Sequence, residues 1–335
     1  MTSHEIKQKA LSIGYLTCGI IEAVAYDEYT QHIGERIKSF PDSRDLYERF
    51  QSVAKPQENG KSIIVCTRAF NNYKTSESLS GIIGKVYQFD RRVPYSQAHR
   101  AKLEFDSYLN TLGLNILEGY VPSRWAAAKA GVGKFGRNNF IYDPDNGSNI
   151  WIDTWIVDKE LEYEAPPVDT FLPACNDGCN KCIEACPTKA LCGKLSMDMG
   201  RCITHIQFSP ERIRKEETRS QMGTWVYGCD VCQDVCPMNK DKFTGSEAFP
   251  LLLEHEQFLQ LEKILEMDEE TYLNVVNPRF WYSGEEGLWL WKCNALRSMI
   301  NSGDSKYHRL IIQYCDDPDE RIGEVAKWGC DRLGL

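Results

Sequence analysis

The sequence predicts a mixed α+β protein in three parts: an α/β domain over residues 1–165, a cysteine-rich module over 166–245 and a helical domain over 246–335. Three observations predict it. Helical and strand periodicities alternate up to about Pro166, two cysteine runs follow a proline-rich stretch, and helical spacing of apolar residues dominates after Pro250. At 335 residues the chain exceeds the size at which one core usually keeps growing, which also argues for two or three domains.

In the first part, SIIVCTRAF (Ser62 to Phe70) reads as a buried strand and AHRAKLEFDSYLNTLG (Ala98 to Gly113) as an amphipathic helix. LNILEGY (Leu114 to Tyr120) reads as a second strand. SRWAAAKAGVG then gives a short helix ended by Gly131 and Gly133, and NIWIDTWIVD (Asn149 to Asp158) alternates like a half-buried strand. Pro166, Pro167 and Pro173 mark a linker into the cysteine-rich module. LLLEHEQFLQLEKILEM, LWLWKCNALRSMI and RIGEVAKWGCDRL read as paired helices, and HEAT-like helical repeats remain open as their arrangement.

Composition narrows the function. Hydrophobic residues at 42% and charged residues at 26% describe an ordinary globular protein, and the net charge of -9 disfavours a surface devoted to neutralising many phosphates. Arg91, Arg92, His99, Arg100 and Lys102 concentrate positive charge locally, a run that reads first as a solvated helix face. No stretch approaches the about 18 apolar residues of a membrane-spanning helix, and the start lacks a signal peptide's apolar segment. The expected compartment is the cytoplasm, where 14 cysteines are expected to be metal ligands rather than disulfides.

Spacing supports that expectation. The first run is Cys175, Cys179, Cys182, Cys186, Pro187; the second is Cys202, then Cys229, Cys232, Cys236, Pro237. Both end in CxxCxxxCP, the ending of two-cluster ferredoxins, in which the last cysteine of each run serves the other cluster. One 4Fe-4S cluster is then expected on Cys175, Cys179, Cys182 and Cys236, and the other on Cys202, Cys229, Cys232 and Cys186. Paired CxxC segments also suit zinc, but zinc gives no reason for a duplicated CxxxCP ending. Three residues separate Cys175 from Cys179 where the usual pattern has two. Cys18, Cys66, Cys192, Cys293, Cys315 and Cys330 stand outside the pattern and read as small buried hydrophobes.

Ala130, Gly131, Val132, Gly133, Gly136, Arg137 and Asn138 form the segment AGVGKFGRN. Its glycines permit close backbone approach to a flat cofactor or a phosphate, and a bare structural turn would look the same. Together with the cysteine module, with YGCDVCQDVCPMN (Tyr227 to Asn239) and with Arg201-Cys202-Ile203, this segment resembles the epoxyqueuosine reductase and reductive dehalogenase superfamily, most closely the epoxyqueuosine reductases. The resemblance spans most of the chain. It implies a nitroreductase-like N-terminal domain that binds cobalamin base-off, with two 4Fe-4S clusters recharging the cobalt from an external donor of ferredoxin or flavodoxin type.

The same resemblance implies a substrate that is either epoxyqueuosine in tRNA or a small molecule such as an organohalide. Epoxyqueuosine reductases carry a catalytic aspartate upstream of the glycine-rich segment, and ungapped comparison places Leu117 there, beside Glu118. Glu118, if a bulge shifts the strand, and Tyr120 are the candidate proton donors in its place. His99, in a helix start that loosely resembles the family's DYH segment, and Arg124 are further candidates for the cofactor pocket. A second class of function, a non-catalytic electron carrier or a reductive activator of a corrinoid protein partner, accounts for the missing aspartate. A flavin enzyme on the same fold is a third reading.

Overall fold

The computed structural model describes residues 3–55, 57–213 and 215–335, and its mixed α/β architecture is built on one small sheet. Four strands lie in the order β1 (Thr17–Glu22), β2 (Ser62–Ala69), β6 (Ile150–Val157), β3 (Ile116–Leu117), every neighbouring pair antiparallel. Two further pairs lie outside it. β4 (Lys134–Phe135) joins β5 (Ile141–Tyr142), and β7 (Leu191–Gly193) joins β8 (Ser196–Met197).

Strand alternation sorts the core. Ile63 and Val65 of β2 point to one face, against Ala126, Ala127, Ala130 and Val132. Ile64 and Cys66 point to the other, against Phe105, Leu109 and Trp155. The helices Ser123–Lys129 and Gln97–Thr111 therefore cover opposite faces of the sheet. The strand expected over Leu114 to Tyr120 is reduced to Ile116–Leu117, the two residues that pair with Val157 and Ile156 of β6. β1 carries the sequence TCGIIE, which has no clear alternation, and its pairing partner is what makes it a strand.

The parts interlock. The helices Asp27–Ser39 and Arg44–Val53, with the turn Pro41–Ser43 between them, grip the β7–β8 hairpin and the residue after it: Arg36 donates to the Leu195 carbonyl, Tyr47 to the Met197 carbonyl and Ser43 to Asp198. One apolar cluster runs from Phe70–Ala98 through Ile213–Tyr227 into the helices Leu261–Glu266, Leu288–Ser302 and Glu320–Leu333. Trp291 of Leu288–Ser302 stacks on Tyr227, two residues before Cys229. The helical tail is thereby packed against the approach to the second cysteine run.

The basic run Arg91–Lys102 is largely committed within the fold. Arg91 pairs with Asp153, Arg92 clamps Asp90, and Lys102 pairs with Asp106. No helix among the described residues is long and apolar enough to cross a membrane.

Candidate functional site

Short helices aim the cysteines inward. Cys175 lies in Pro173–Asn176 and Cys182 in Lys181–Ala185, while Cys186 ends the latter in extended backbone before Pro187 turns the chain away. Cys202 starts the helix Ile203–Gln207, Cys232 lies in Val231–Asp234, and Cys236 precedes the turn Pro237–Asn239.

The thiols fall into two neighbourhoods. Cys175 feels Cys236 and Cys179, and Cys182 feels Cys236 and Cys175. Cys202 feels Cys186, Cys229 feels Cys202 and Cys186, and Cys232 feels Cys202, Cys229 and Cys186. The last cysteine of each run thus lies with the other run. Cys232 also feels Cys182, so the neighbourhoods adjoin.

Burial, reinforced by neighbouring thiols, opposes ionisation at these sulfurs. It pushes Cys182 up to about 11 and Cys229 up to about 12, and raises Cys175, Cys202 and Cys232. Such thiols need positive charge nearby to become thiolates, which bound iron supplies. Backbone N–H groups already address the sulfurs: Ala190 donates to Cys186 at 3.3 Å, His205 and Thr204 to Cys202, and Val231 to Cys229. These are the donors that tune a cluster. Among the described residues no three His, Cys, Asp or Glu side chains converge tightly enough for a single metal ion.

The glycine-rich segment is tied to this module. Arg137 donates to the Cys175 carbonyl at 2.6 Å and to Asn180, and Asn138 donates to the Cys232 carbonyl at 3.1 Å and to the Tyr142 hydroxyl at 2.8 Å. Ala130 and Val132 are buried against the sheet. Gly133 and Gly136 have no room for a side chain, since a Cβ would meet Ile141 at 2.4 Å and Tyr142 at 2.5 Å. Gly131 differs: it is exposed, left-handed at φ +69, with open space before it.

Beside the segment lies a polar cluster. The Tyr120 and Tyr29 hydroxyls are 3.3 Å apart, and the buried Tyr26 donates to the Tyr120 carbonyl. Arg124 donates to the Asn139 carbonyl and sits 4.6 Å over the Phe140 ring, and Arg36 donates to the Asn139 side chain at 3.1 Å. Burial and Tyr120 hold the Tyr29 proton tightly, an effect that Arg36 and Arg124 oppose. The Asn139 amide nitrogen is buried without a hydrogen-bond partner among the described residues, in a left-handed backbone at φ 65. Two guanidinium groups and a buried amide donor are thus gathered at Asn139, a set of donors that suits a ligand rich in acceptor oxygens.

Two sequence candidates are not brought to this cluster. Glu118 is exposed with no hydrogen bond or ion pair among the described residues, and His99 lies on Gln97–Thr111, across the sheet from Arg124. Tyr29, Arg36 and Asn139 were not legible as site residues. For Asn139 the faint signal is an Asn-Asn pair in a glycine-rich turn, where asparagine tolerates left-handed backbone.

Comparison with known proteins agrees with the geometry. Residues 174–239 match the 4Fe-4S double cluster binding domain. The epoxyqueuosine reductase of Cellulophaga algicola is 29% identical over 271 residues, which cover 77% of this chain and 85% of that protein. That of Bacillus subtilis is 35% identical over 230 residues, covering 64% and 54%. A crystal structure of epoxyqueuosine reductase with an epoxyqueuosine-modified tRNA-Tyr stem loop shares the fold, with TM-score 0.76 and 22% identity over 99% of this chain and 90% of that one. The enzyme of Streptococcus thermophilus does so with TM-score 0.75 and 20% identity over 98% and 90%. With its double-cluster domain, the chain is an iron–sulfur oxidoreductase that is similar in sequence to epoxyqueuosine reductases and shares their fold.

Proposed function

We propose that this protein reduces epoxyqueuosine in tRNA, taking electrons from an external ferredoxin or flavodoxin-type donor through two 4Fe-4S clusters to base-off cobalamin. The observation that carries the reading is the pairing of two crossed four-thiol neighbourhoods with an adjoining polar cluster, in a fold similar over nearly its whole length to the tRNA-bound reductase. The ligand sets are Cys175, Cys179, Cys182 and Cys236 for one cluster and Cys186, Cys202, Cys229 and Cys232 for the other. Because Cys182 and Cys232 adjoin, electrons would pass between clusters over a short gap.

Cobalamin carries acceptor-rich amide and phosphate groups, which suit Arg36, Arg124, the open Gly131 backbone and the orphaned Asn139 amide. When bound it supplies a low-valent metal able to deliver electrons to an organic substrate. Converting an epoxide to an alkene consumes two electrons and two protons and releases water. The departing oxygen needs a proton within hydrogen-bond reach; in this reading Tyr120 gives it and Tyr29, whose hydroxyl is 3.3 Å away and whose ionised form Arg36 and Arg124 favour, relays a proton to Tyr120. Glu118, turned to solvent, is the alternative donor only if its loop moves.

The test is anaerobic reconstitution with iron, sulfide and cobalamin, followed by incubation with a chemical reductant and an epoxyqueuosine stem loop. Conversion of the nucleoside, read by mass spectrometry, is the expected outcome. Bound cobalt without conversion would redirect the search to small substrates such as organohalides. Two clusters without cobalt would favour the second reading, an electron carrier or corrinoid activator, which the missing aspartate and the exposed Glu118 support.

A further inference from the structure

Six cysteines lie outside the two runs, and the fold sets two of them side by side. The sulfurs of Cys315 and Cys330 are 3.2 Å apart. Cys315 sits in the single turn Tyr314–Asp316 that ends one helix, and Cys330 in the last turns of Glu320–Leu333. The juxtaposition is built into the backbone. Asp317 donates back to the Tyr314 carbonyl, Asp319 caps the final helix through the Arg321 N–H, and that helix approaches closely at Gly323, where a Cβ would lie 3.3 Å from the Cys315 carbonyl.

Access distinguishes this pair from the other near pair. Cys18 and Cys66 stand opposite each other on β1 and β2, but Cys66 is sealed at 0% exposure inside the sheet. Cys293 is likewise buried, and Cys192, though exposed, neighbours Cys186 of the first run. Cys315 and Cys330 are both half-buried, at the rim of the helical tail. A small oxidant can reach them, and little motion is needed to bond them.

We propose that Cys315 and Cys330 form a reversible dithiol–disulfide site that reacts with low-molecular-weight disulfides of the glutathione type. One thiolate attacks the oxidised glutathione bond, releasing one glutathione thiol and leaving a mixed disulfide. The second protein thiol then displaces the other glutathione. Two protein thiols are oxidised, one disulfide bond breaks as another forms, and both electrons and protons leave on two glutathione molecules.

The bond would tie the final helix to the turn before it. That helix also reaches the iron–sulfur module, where Glu324 meets Arg219 at 3.0 Å, so the oxidised tail would hold the module more rigidly. Burial and the neighbouring Cys315 raise the Cys330 thiol above its usual range, so exchange should quicken as pH rises.

The test uses the cluster-loaded full chain, incubated anaerobically with mixtures of reduced and oxidised glutathione, alkylated and digested. The expected result is a linked pair of peptides containing Cys315 and Cys330, two hydrogens lighter than the reduced pair and restored by dithiothreitol. The clusters' visible absorption should be unchanged and the melting temperature raised. Cys315→Ser, or Cys330→Ala should the first variant fold poorly, should give no linked pair and no rise. Separate alkylation of both cysteines at every glutathione ratio would overturn the proposal. So would linkage that appears only as the clusters bleach, or linkage of other cysteines.

Discussion

Arg297 offers a quantitative test of how the helical tail supports the second cluster. It is 1% exposed on Leu288–Ser302 and donates to the Gly223 carbonyl at 2.7 Å, to the Trp225 carbonyl and to Asn294 at 3.3 Å. These bonds hold the segment that leads into Cys229. Burial opposes the Arg297 charge, and the sulfurs of Cys293 and Cys229 favour it. In Arg297→Met the two charge-assisted bonds to carbonyls are lost, at about 1.5–3 kcal/mol each.

Neither carbonyl is orphaned, because Asn301 still donates to Gly223 at 2.9 Å and Gln207 to Trp225 at 2.6 Å. Removing a buried charge also returns several kcal/mol of desolvation. The net cost is roughly 2 kcal/mol, which for a chain of this length lowers Tm by about 3 °C. The assay is thermal melting of the loaded protein, with release of iron to a chelator followed by paramagnetic spectra. The cluster on Cys186, Cys202, Cys229 and Cys232 should be lost first. An unchanged Tm, or equal loss of both clusters, would refute the buttress.

Cys186→Ser should remove the cluster that Cys202, Cys229 and Cys232 serve, despite Cys186 standing in the first run. Iron content should fall from about eight to about four per chain, with the spectrum of the other cluster intact. Tyr120→Phe should lower turnover of the identified substrate by about 10²-fold or more, while Glu118→Gln leaves it within about twofold; the reverse ranking in steady-state assays would transfer the acid role to Glu118. His255 is held below 6.5 by burial, an effect its bond to the Leu251 carbonyl opposes. Folding therefore disfavours its protonated form, and this contribution to stability is present above pH 6.5 and lost as pH falls through the folded value. Melting curves of His255→Gln between about pH 7.5 and 5.5 should decline less steeply than those of the native chain, and parallel slopes would count against it.

Much of the chemistry was legible because it is local. A CxxCxxxCP ending states its ligand spacing within a few residues, and no tertiary context is needed to read it. The strand over residues 62–70 and the helix over 98–113 were legible for a similar reason: β2 spans Ser62–Ala69 and the helix Gln97–Thr111, and each carries its own periodicity.

What lay beyond the sequence depends on partners distant along the chain. TCGIIE is a strand only because Cys66 and Val65 lie opposite Cys18 and Gly19, and Arg297 reaches the segment before Cys229 only because residues 223–225 fold against it. The glycine-rich segment divides in the same way. Gly133 and Gly136 answer to Ile141 and Tyr142, while Gly131 alone faces open space, and a glycine's letter does not distinguish the two. Tyr29 and Tyr120 come together across 91 residues, the kind of pairing that local propensity cannot encode. Residue types and short spacings thus determined the iron–sulfur chemistry of the chain. The tertiary structure alone decided which side chains stand near enough to act together, because hydrogen bonds and proton transfer operate over about 3 Å whatever the distance in sequence.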